Sequence, residues 1–543
     1  MPEISRRQFA LAPALLARKR RPNVIVLISD DQGYGDLSLH GNPHLKTPHL
    51  DSIATEGVQF TQFHSSPVCS PTRASLMTGR WNYRTGVVDT YIGRSLMRPD
   101  EVTMPQALGA AGYATGIFGK WHLGDNYPLR AMDRGFQEAL THKGGGLAQP
   151  SGPPGEGYFD PVLSFNGHDR QTRGFCTDIF FDGAIEFIQR HAKRPFFTYI
   201  AANAPHTPLQ VDPKWVEPYT RMGLDDTTAR IYGMVANLDH NTGRLLGSLR
   251  KLGLEKDTIL VFLTDNGPQQ RRFNAGMRGL KGSVYQGGIR VPCFLRWPGR
   301  VPAGTRVDRI GAHVDLLPTI LEACEAPLPA GRQIDGRSLL PLATGTRTEW
   351  PDRKLFLQWH RGDAPEPHRN AAVRTQQWKL VDGKELYDLN QDPGESKDLA
   401  STLPQVAAEL RKAYDEWFED VGRPGYAPPR IHIGAKQENP VILTRQDWRG
   451  PRAGWDDNSL GFYEVEVRQR GPYEITLRFP PQPQPRTAEL EFRGQVQKVE
   501  VPANAAEATL SGVTLPPGTG RLEGRIAAQP QPVGVHYIQV RSL

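Results

Sequence analysis

Four apolar runs in this 543-residue chain each stop at polar residues of the kind that do chemistry. Residues 23–29 (NVIVLIS) end at Asp30-Asp31, and residues 114–118 end at Gly119-Lys120-Trp121-His122. Residues 196–202 end at Asn203-Ala204-Pro205-His206, and residues 258–264 end at Asp265-Asn266-Gly267. Runs that are apolar throughout, without alternation, suit parallel strands covered on both faces. Helical spacing of apolar residues recurs between them, over 103–112, 178–193, 227–252 and 314–323. The expected fold is α/β, a large mostly parallel mixed sheet flanked by helices. Ligands of such sheets bind beyond the carboxyl ends of the strands. Asp30, Asp31, Lys120, His122, His206, Asp265 and Asn266 therefore converge on one edge, although they are far apart in the chain. Each has a bland reading alone: Asp30 or Asp265 as a helix cap, His206 as a turn residue before Pro208. It is the repetition that makes them a site.

The stretch 65–80 (SSPVCSPTRASLMTGR) carries a thiol, Cys69, then Pro71, then Arg73. Proline is harmless in the first turn of a helix, where its missing N–H has no partner anyway. Gly79 can end the helix. Cys69 then sits at a helix N-terminus, where free N–H groups favour negative charge. Arg73, one turn on, can reach back with a planar fork suited to an oxyanion. Asp30, Asp31, Asp265 and Asn266 offer only oxygen ligands, which suits calcium or magnesium rather than zinc. Lys281, in Arg278-Gly279-Leu280-Lys281-Gly282, adds a third cation. Residues 144–174 are rich in glycine and proline and read as a long active-site loop.

The division expected is an export signal at 1–21, an α/β catalytic domain at 22–350 and a small antiparallel sheet plus helix at 351–421. A linker at 422–440 and a β-sandwich-like domain at 441–543 follow. The first segment holds Ser5-Arg6-Arg7-Gln8-Phe9, a twin-arginine-like pattern before a short apolar run, and implies a periplasmic or secreted protein. No apolar run is long enough for a membrane helix. The formal net charge of +7 is modest, and no dense basic block points to nucleic acid. Four cysteines do not make a disulfide framework.

The stretch around Cys69 resembles the active-site signature of the type I sulfatases, in the alkaline-phosphatase superfamily, and the resemblance runs over roughly residues 22–420. It implies that a separate maturation enzyme oxidises Cys69 to formylglycine (3-oxoalanine), whose hydrate is the nucleophile. It implies one Ca2+, with Mg2+ as the alternative, held by Asp30, Asp31, Asp265, Asn266 and the modified Cys69. By the same resemblance Arg73, Lys120 and Lys281 neutralise the sulfuryl oxygens, with Lys120, His206 and Lys281 touching substrate. His206, helped by Lys281, protonates the departing alcohol, and His122 takes a proton from the second hydroxyl as sulfate is expelled. The expected substrate is a sulfated carbohydrate or aryl sulfate. Asn266 stands where phosphatases of the superfamily usually have histidine, which leans against a phosphate or phosphonate ester. A thiolate hydrolase is disfavoured by the acidic cluster, and a non-catalytic glycan-binding protein by the filled catalytic positions. Trp121, His142, Arg271 and Arg272 are further residues within reach of the alcohol, the two arginines reading better as an exposed face.

Overall fold

The structure is a computed structural model that describes residues 21–152, 156–346, 349–527 and 531–543. The expected export signal lies, but for Arg21, outside the described residues. Among them, no helix is long and apolar enough to cross a membrane.

A ten-stranded sheet forms the centre, and its middle is parallel. Thr258–Thr264 pairs with Asn23–Ser29, which pairs with Phe196–Ala201, then Ala114–Lys120, then Glu138–His142. Alternate residues of the buried strand Asn23–Ser29 enter two cores: Val24, Val26 and Ile28 enter one, Ile25 and Leu27 the other. The first core is closed by the helices Cys69–Thr78, Met104–Ala110 and Leu316–Ala323. The second is closed by Pro48–Thr55, Cys176–Arg190 and Asp226–Lys251. Both strand faces are thus dry, which is why these runs carry no polar alternation.

The glycine-rich stretch 144–174 is not loop throughout. Val162–Phe165 and His168–Gln171 form a hairpin that continues the sheet at its edge. Asn166 and Gly167 join them with φ of 49° and 84°, the left-handed pair that a two-residue hairpin turn requires.

The small subdomain has four antiparallel strands, Leu355–Gln358, Ala371–Arg374, Trp378–Val381 and Glu385–Asp388, in sequence order. The helix Pro404–Gly422 packs on them through Leu410, Tyr414 and Trp417. Beyond it, two mostly antiparallel sheets enclose one core, a sandwich. Within the stretch expected as linker, Ile431–Ile433 pairs in parallel with Leu460–Val467 and buries both isoleucines. Val533–Gly534 joins one sheet and Tyr537–Ser542 the other. Gly518–Ile526 (GTGRLEGRI) was hidden by its glycines and charges, yet it is a central strand.

Candidate active site

The strand ends do meet. Asp30 and Asp31 follow the strand Asn23–Ser29, and Asp265 and Asn266 follow its neighbour Thr258–Thr264. The Asp31 amide donates to Asp265 Oδ1 at 3.2 Å, and Asn266 Nδ2 donates to Asp31 Oδ1 at 2.8 Å. Lys120, the last residue of its strand, places Nζ 2.7 Å from Asp30 Oδ2. Lys281 reaches Asp31 at 2.7 Å, and Arg73 donates to Asp265 Oδ2 at 2.8 Å. Three buried carboxylates therefore face three cations, Arg73 and Lys120 buried and Lys281 partly exposed.

Cys69 opens the helix Cys69–Thr78, every residue of which is buried, and Gly79 ends it at φ 66°. One oxygen each from Asp30 and Asp265 and the Cys69 sulfur lie within 4.8 Å of one another. A second group within the same span joins Asp30, Asp31 and His206. Asp30 Oδ1 and Asn266 Oδ1 are buried and have no hydrogen-bond partner. Unpaired buried oxygens are costly, and a hard cation bound among them would satisfy both. The donor set thus fits calcium or magnesium.

The charges hold each other. Burial pushes Asp265 up to about 7, assisted by Asp30 and opposed by Arg73 and Lys120. Burial also acts against the Asp31 carboxylate, but Lys281, His206 and Lys120 outweigh it and hold the group well below the usual range. Burial raises the Cys69 thiol, the carboxylates Asp30 and Asp265 add to this, and Lys120 and Lys281 do not compensate. Cys69 is therefore held as the thiol. Arg73 reaches back into the cluster, where its fork donates to Asp265 and, at 3.3 Å, to the Lys120 carbonyl.

The two histidines are oriented by backbone carbonyls. His122, at φ 60°, places Nε2 2.6 Å from the Thr90 carbonyl, so Nε2 carries the proton. Its Nδ1 is buried and unpartnered. Burial and then Lys120 push its pKa well down, so the ring is neutral with a free lone pair. His206 is the mirror case. Nδ1 donates to the Thr207 carbonyl at 2.6 Å, and Nε2 lies 3.7 Å from Asp31 Oδ2. Its Nε2 side thus faces one of the carboxylates that would hold a metal. Burial lowers its pKa to about 3.

These groups open on a cleft of about 530 Å³ lined by Cys69, His122, His206 and Lys281 together with residues that sequence reasoning missed. Gly145 lies flat on the His122 ring and Gly146 on the His206 ring. Their signal was available, since three glycines in a row mark a backbone that approaches something closely. Tyr91, Trp359, Arg361 and Trp455 form the outer wall, and nothing local in the sequence marks them. Trp121 and His142, two of the four residues expected within reach of the alcohol, are elsewhere. Trp121 donates to the Leu129 carbonyl, packs on Phe136 and, with His142, lines a separate small cavity. Arg272 is not an exposed arginine: it is buried against Asp36. Arg271 is exposed. Asn237 and Asp239 are structural, the latter accepting from the His49 and Leu50 amides at a helix start. His313 supports Ser66, and Asp315 holds Arg353.

The family model described as Sulfatase matches residues 22–326, and that described as N-sulphoglucosamine sulphohydrolase, C-terminal, matches residues 280–419. Human arylsulfatase A is 32% identical over 471 residues, covering 79% of this chain and 89% of that protein. The N-acetylgalactosamine-6-sulfatase of Canis lupus familiaris is 33% identical over 374 residues, 63% of this chain and 69% of that protein. Among solved structures, Ps i-CgsB in complex with k-i-k-neocarrahexaose superposes with a TM-score of 0.68 at 27% identity, covering 76% of this chain and 95% of its own. The phosphonate monoester hydrolase of Agrobacterium radiobacter shares the fold, with a TM-score of 0.54 at 20% identity. Matches of this extent, over a sheet edge that gathers Cys69, its acidic neighbours and three cations, leave one assignment: the chain belongs to the sulfatase family and is a sulfuric ester hydrolase.

Proposed function

We propose that the protein removes sulfate from sulfated carbohydrates, using formylglycine made from Cys69 and one calcium ion held by Asp30, Asp31, Asp265, Asn266 and the modified Cys69. The observation that carries this is the buried cluster at Cys69, where unpartnered oxygens of Asp30 and Asn266 sit among three carboxylates. Bound there, calcium supplies positive charge to the sulfuryl oxygens, and hydrated formylglycine supplies two hydroxyls on one carbon.

The remaining chemistry belongs to side chains. The three carboxylates and three cations balance, so a divalent cation leaves the site net positive for an anionic ester. Lys120 and Lys281 stand ready for the sulfuryl oxygens, and charge fixed in advance is often the largest catalytic contribution. Arg73 acts through Asp265, opposing the effect of burial on that carboxylate and fixing it in place. His122, neutral and with Nδ1 free, accepts a proton from the second hydroxyl as sulfate is expelled. His206 Nε2, with Lys281 beside it, is placed to give a proton to the departing alcohol oxygen; burial keeps the free ring neutral, so this role requires the bound anionic ester to draw a second proton onto the ring. Carbohydrate is favoured over a simple aryl ester by the relatives named N-acetylgalactosamine-6-sulfatase and by the similar structure in complex with k-i-k-neocarrahexaose. The twin-arginine-like start supports export to the periplasm or beyond.

The test is to make the protein with and without a formylglycine-generating enzyme and read residue 69 by peptide mass. Sulfate release from 4-nitrophenyl sulfate should follow the aldehyde content, and Cys69→Ser should lose turnover. Full activity with an unmodified thiol overturns the mechanism. A faster reaction on a phosphonate or phosphate ester than on the sulfate would favour the reading as a phosphonate hydrolase instead.

A further inference from the structure

Both family models end by residue 419, yet the outer wall of the cleft includes Trp455, from the C-terminal sandwich. The sandwich is locked to the cleft rim. Ile92, on the rim loop, is buried in the sandwich core. The Gly93 amide donates to the Gln446 carbonyl at 2.9 Å, and Arg449 Nη1 donates to the Gly93 carbonyl at 2.9 Å. Gln446 Nε2 donates at 3.0 Å to the Thr90 carbonyl, the same oxygen that orients His122.

This docking sets three aromatic rings and one cation on the rim. Tyr91 and Trp455 meet edge to face with centroids 5.2 Å apart. The Arg361 guanidinium lies 4.2 Å from the Tyr91 centroid and 5.2 Å from that of Trp359. Asp89, fully buried, accepts from Trp359 Nε1 and Arg361 Nη1, each at 2.9 Å, and so holds both residues at the rim. Arg361 still has half of its side chain in solvent. Trp359 lies against Gly282, where an added Cβ would come within 2.9 Å of the indole, and Gly282 follows Lys281 in the chain. The wall therefore begins next to the sulfate-binding end and runs outward to Trp455. Flat apolar faces beside a half-free guanidinium suit a sugar ring that carries an anionic group.

We propose that the sandwich completes the substrate cleft: Trp455, with Tyr91 and Trp359, stacks a sugar ring adjoining the sulfated one, and Arg361 pairs with an anionic substituent on it. The preferred substrate is then an oligosaccharide bearing more than one anionic group. This rests on the sulfate-ester reading above.

The experiment compares 4-nitrophenyl sulfate with sulfated mono-, di- and hexasaccharides prepared from carrageenan and chondroitin sulfate, using protein of measured formylglycine content. Wild type should show a higher kcat/KM on the longer sugars than on the monosaccharides. Trp455→Ala should lower kcat/KM on the best oligosaccharide on the order of tenfold more than on the aryl sulfate, through KM. Trp455→Phe should recover most of that difference. Arg361→Gln, at a half-exposed position that threatens no core, should raise KM on the oligosaccharide and flatten its salt dependence. Equal losses of Trp455→Ala on both substrates, or a wild type indifferent to sugar length, would overturn the subsite and leave the sulfatase reading standing. So would turnover of the aryl sulfate with none of any oligosaccharide. No sulfate release from the aryl ester would remove the reading on which the subsite rests, and the subsite with it.

Discussion

Gly145→Ala tests whether His122 works from its present position. An added Cβ would lie 2.7 Å from both Cε1 and Nε2 of that ring, whereas ordinary contact begins at 3.4 Å. The ring must then retreat by about 0.7 Å, the difference of those two distances. It is held at Nε2 by the Thr90 carbonyl at 2.6 Å, so the movement stretches that bond toward its useful limit and re-aims the free Nδ1. A base displaced by about 1 Å costs on the order of a hundredfold. That is about 2.7 kcal/mol of barrier, and it falls within the full worth of a general base, roughly a hundred- to ten-thousandfold. The assay is single-turnover and steady-state kinetics on 4-nitrophenyl sulfate, with formylglycine content matched by peptide mass. Intact-mass analysis of the quenched enzyme should show a sulfated adduct building up, because the affected step is sulfate release. Gly109→Ala is the control. Nothing lies within 4 Å of its Cβ position in the helix Met104–Ala110, so it should leave kinetics alone and raise stability by up to about 1 kcal/mol. Turnover of Gly145→Ala within twofold of wild type, at equal aldehyde content, would refute the role given to His122.

Chelation should abolish turnover, calcium should restore it and zinc should not, with Asp265→Asn behaving as the chelated protein does. Unchanged rates in chelator would exclude the oxygen-ligand site. His206→Ala should lose far more on a sulfated sugar than on 4-nitrophenyl sulfate, since a sugar alkoxide needs a proton to leave, and equal losses would remove its role as donor. Away from the chemistry, Lys379 and Glu395 form a fully buried ion pair, and Glu395 also accepts from the Gln286 amide at 2.7 Å. Lys379→Met strands a buried carboxylate and should cost about 3–5 kcal/mol in urea unfolding. Adding Glu395→Gln should recover much of the loss, and a double variant no more stable than the single one would contradict that account.

The parallel strands could be read directly because a strand dry on both faces is apolar through its middle, as residues 24–28 and 259–263 are. The groups at their ends followed from one rule, that such sheets open their sites at the carboxyl edge. Asp30, Asp31, Lys120, His122, His206, Asp265 and Asn266 are named on that ground, Cys69 on the stretch 65–80, and all lie at the cleft or in the cluster beneath it. Where burial does not impose a pattern, reading failed: Gly518–Ile526 alternates too weakly, and Asn166-Gly167 was absorbed into a stretch taken for loop. Other properties have no local signature at all. Arg73 turns to Asp265 because three carboxylates are buried together, and the thiol of Cys69 stays protonated because the dry pocket outweighs the helix end. The proton of His122 is placed by a carbonyl at Thr90, and that of His206 by one at Thr207. Trp455 reaches the cleft because Ile92 is buried in a core built by residues from 431 onward. Burial and periodicity are written along the chain, residue by residue. Which charges neutralise one another, and which ring faces the substrate, depend on distances between segments that come together only when the domains dock.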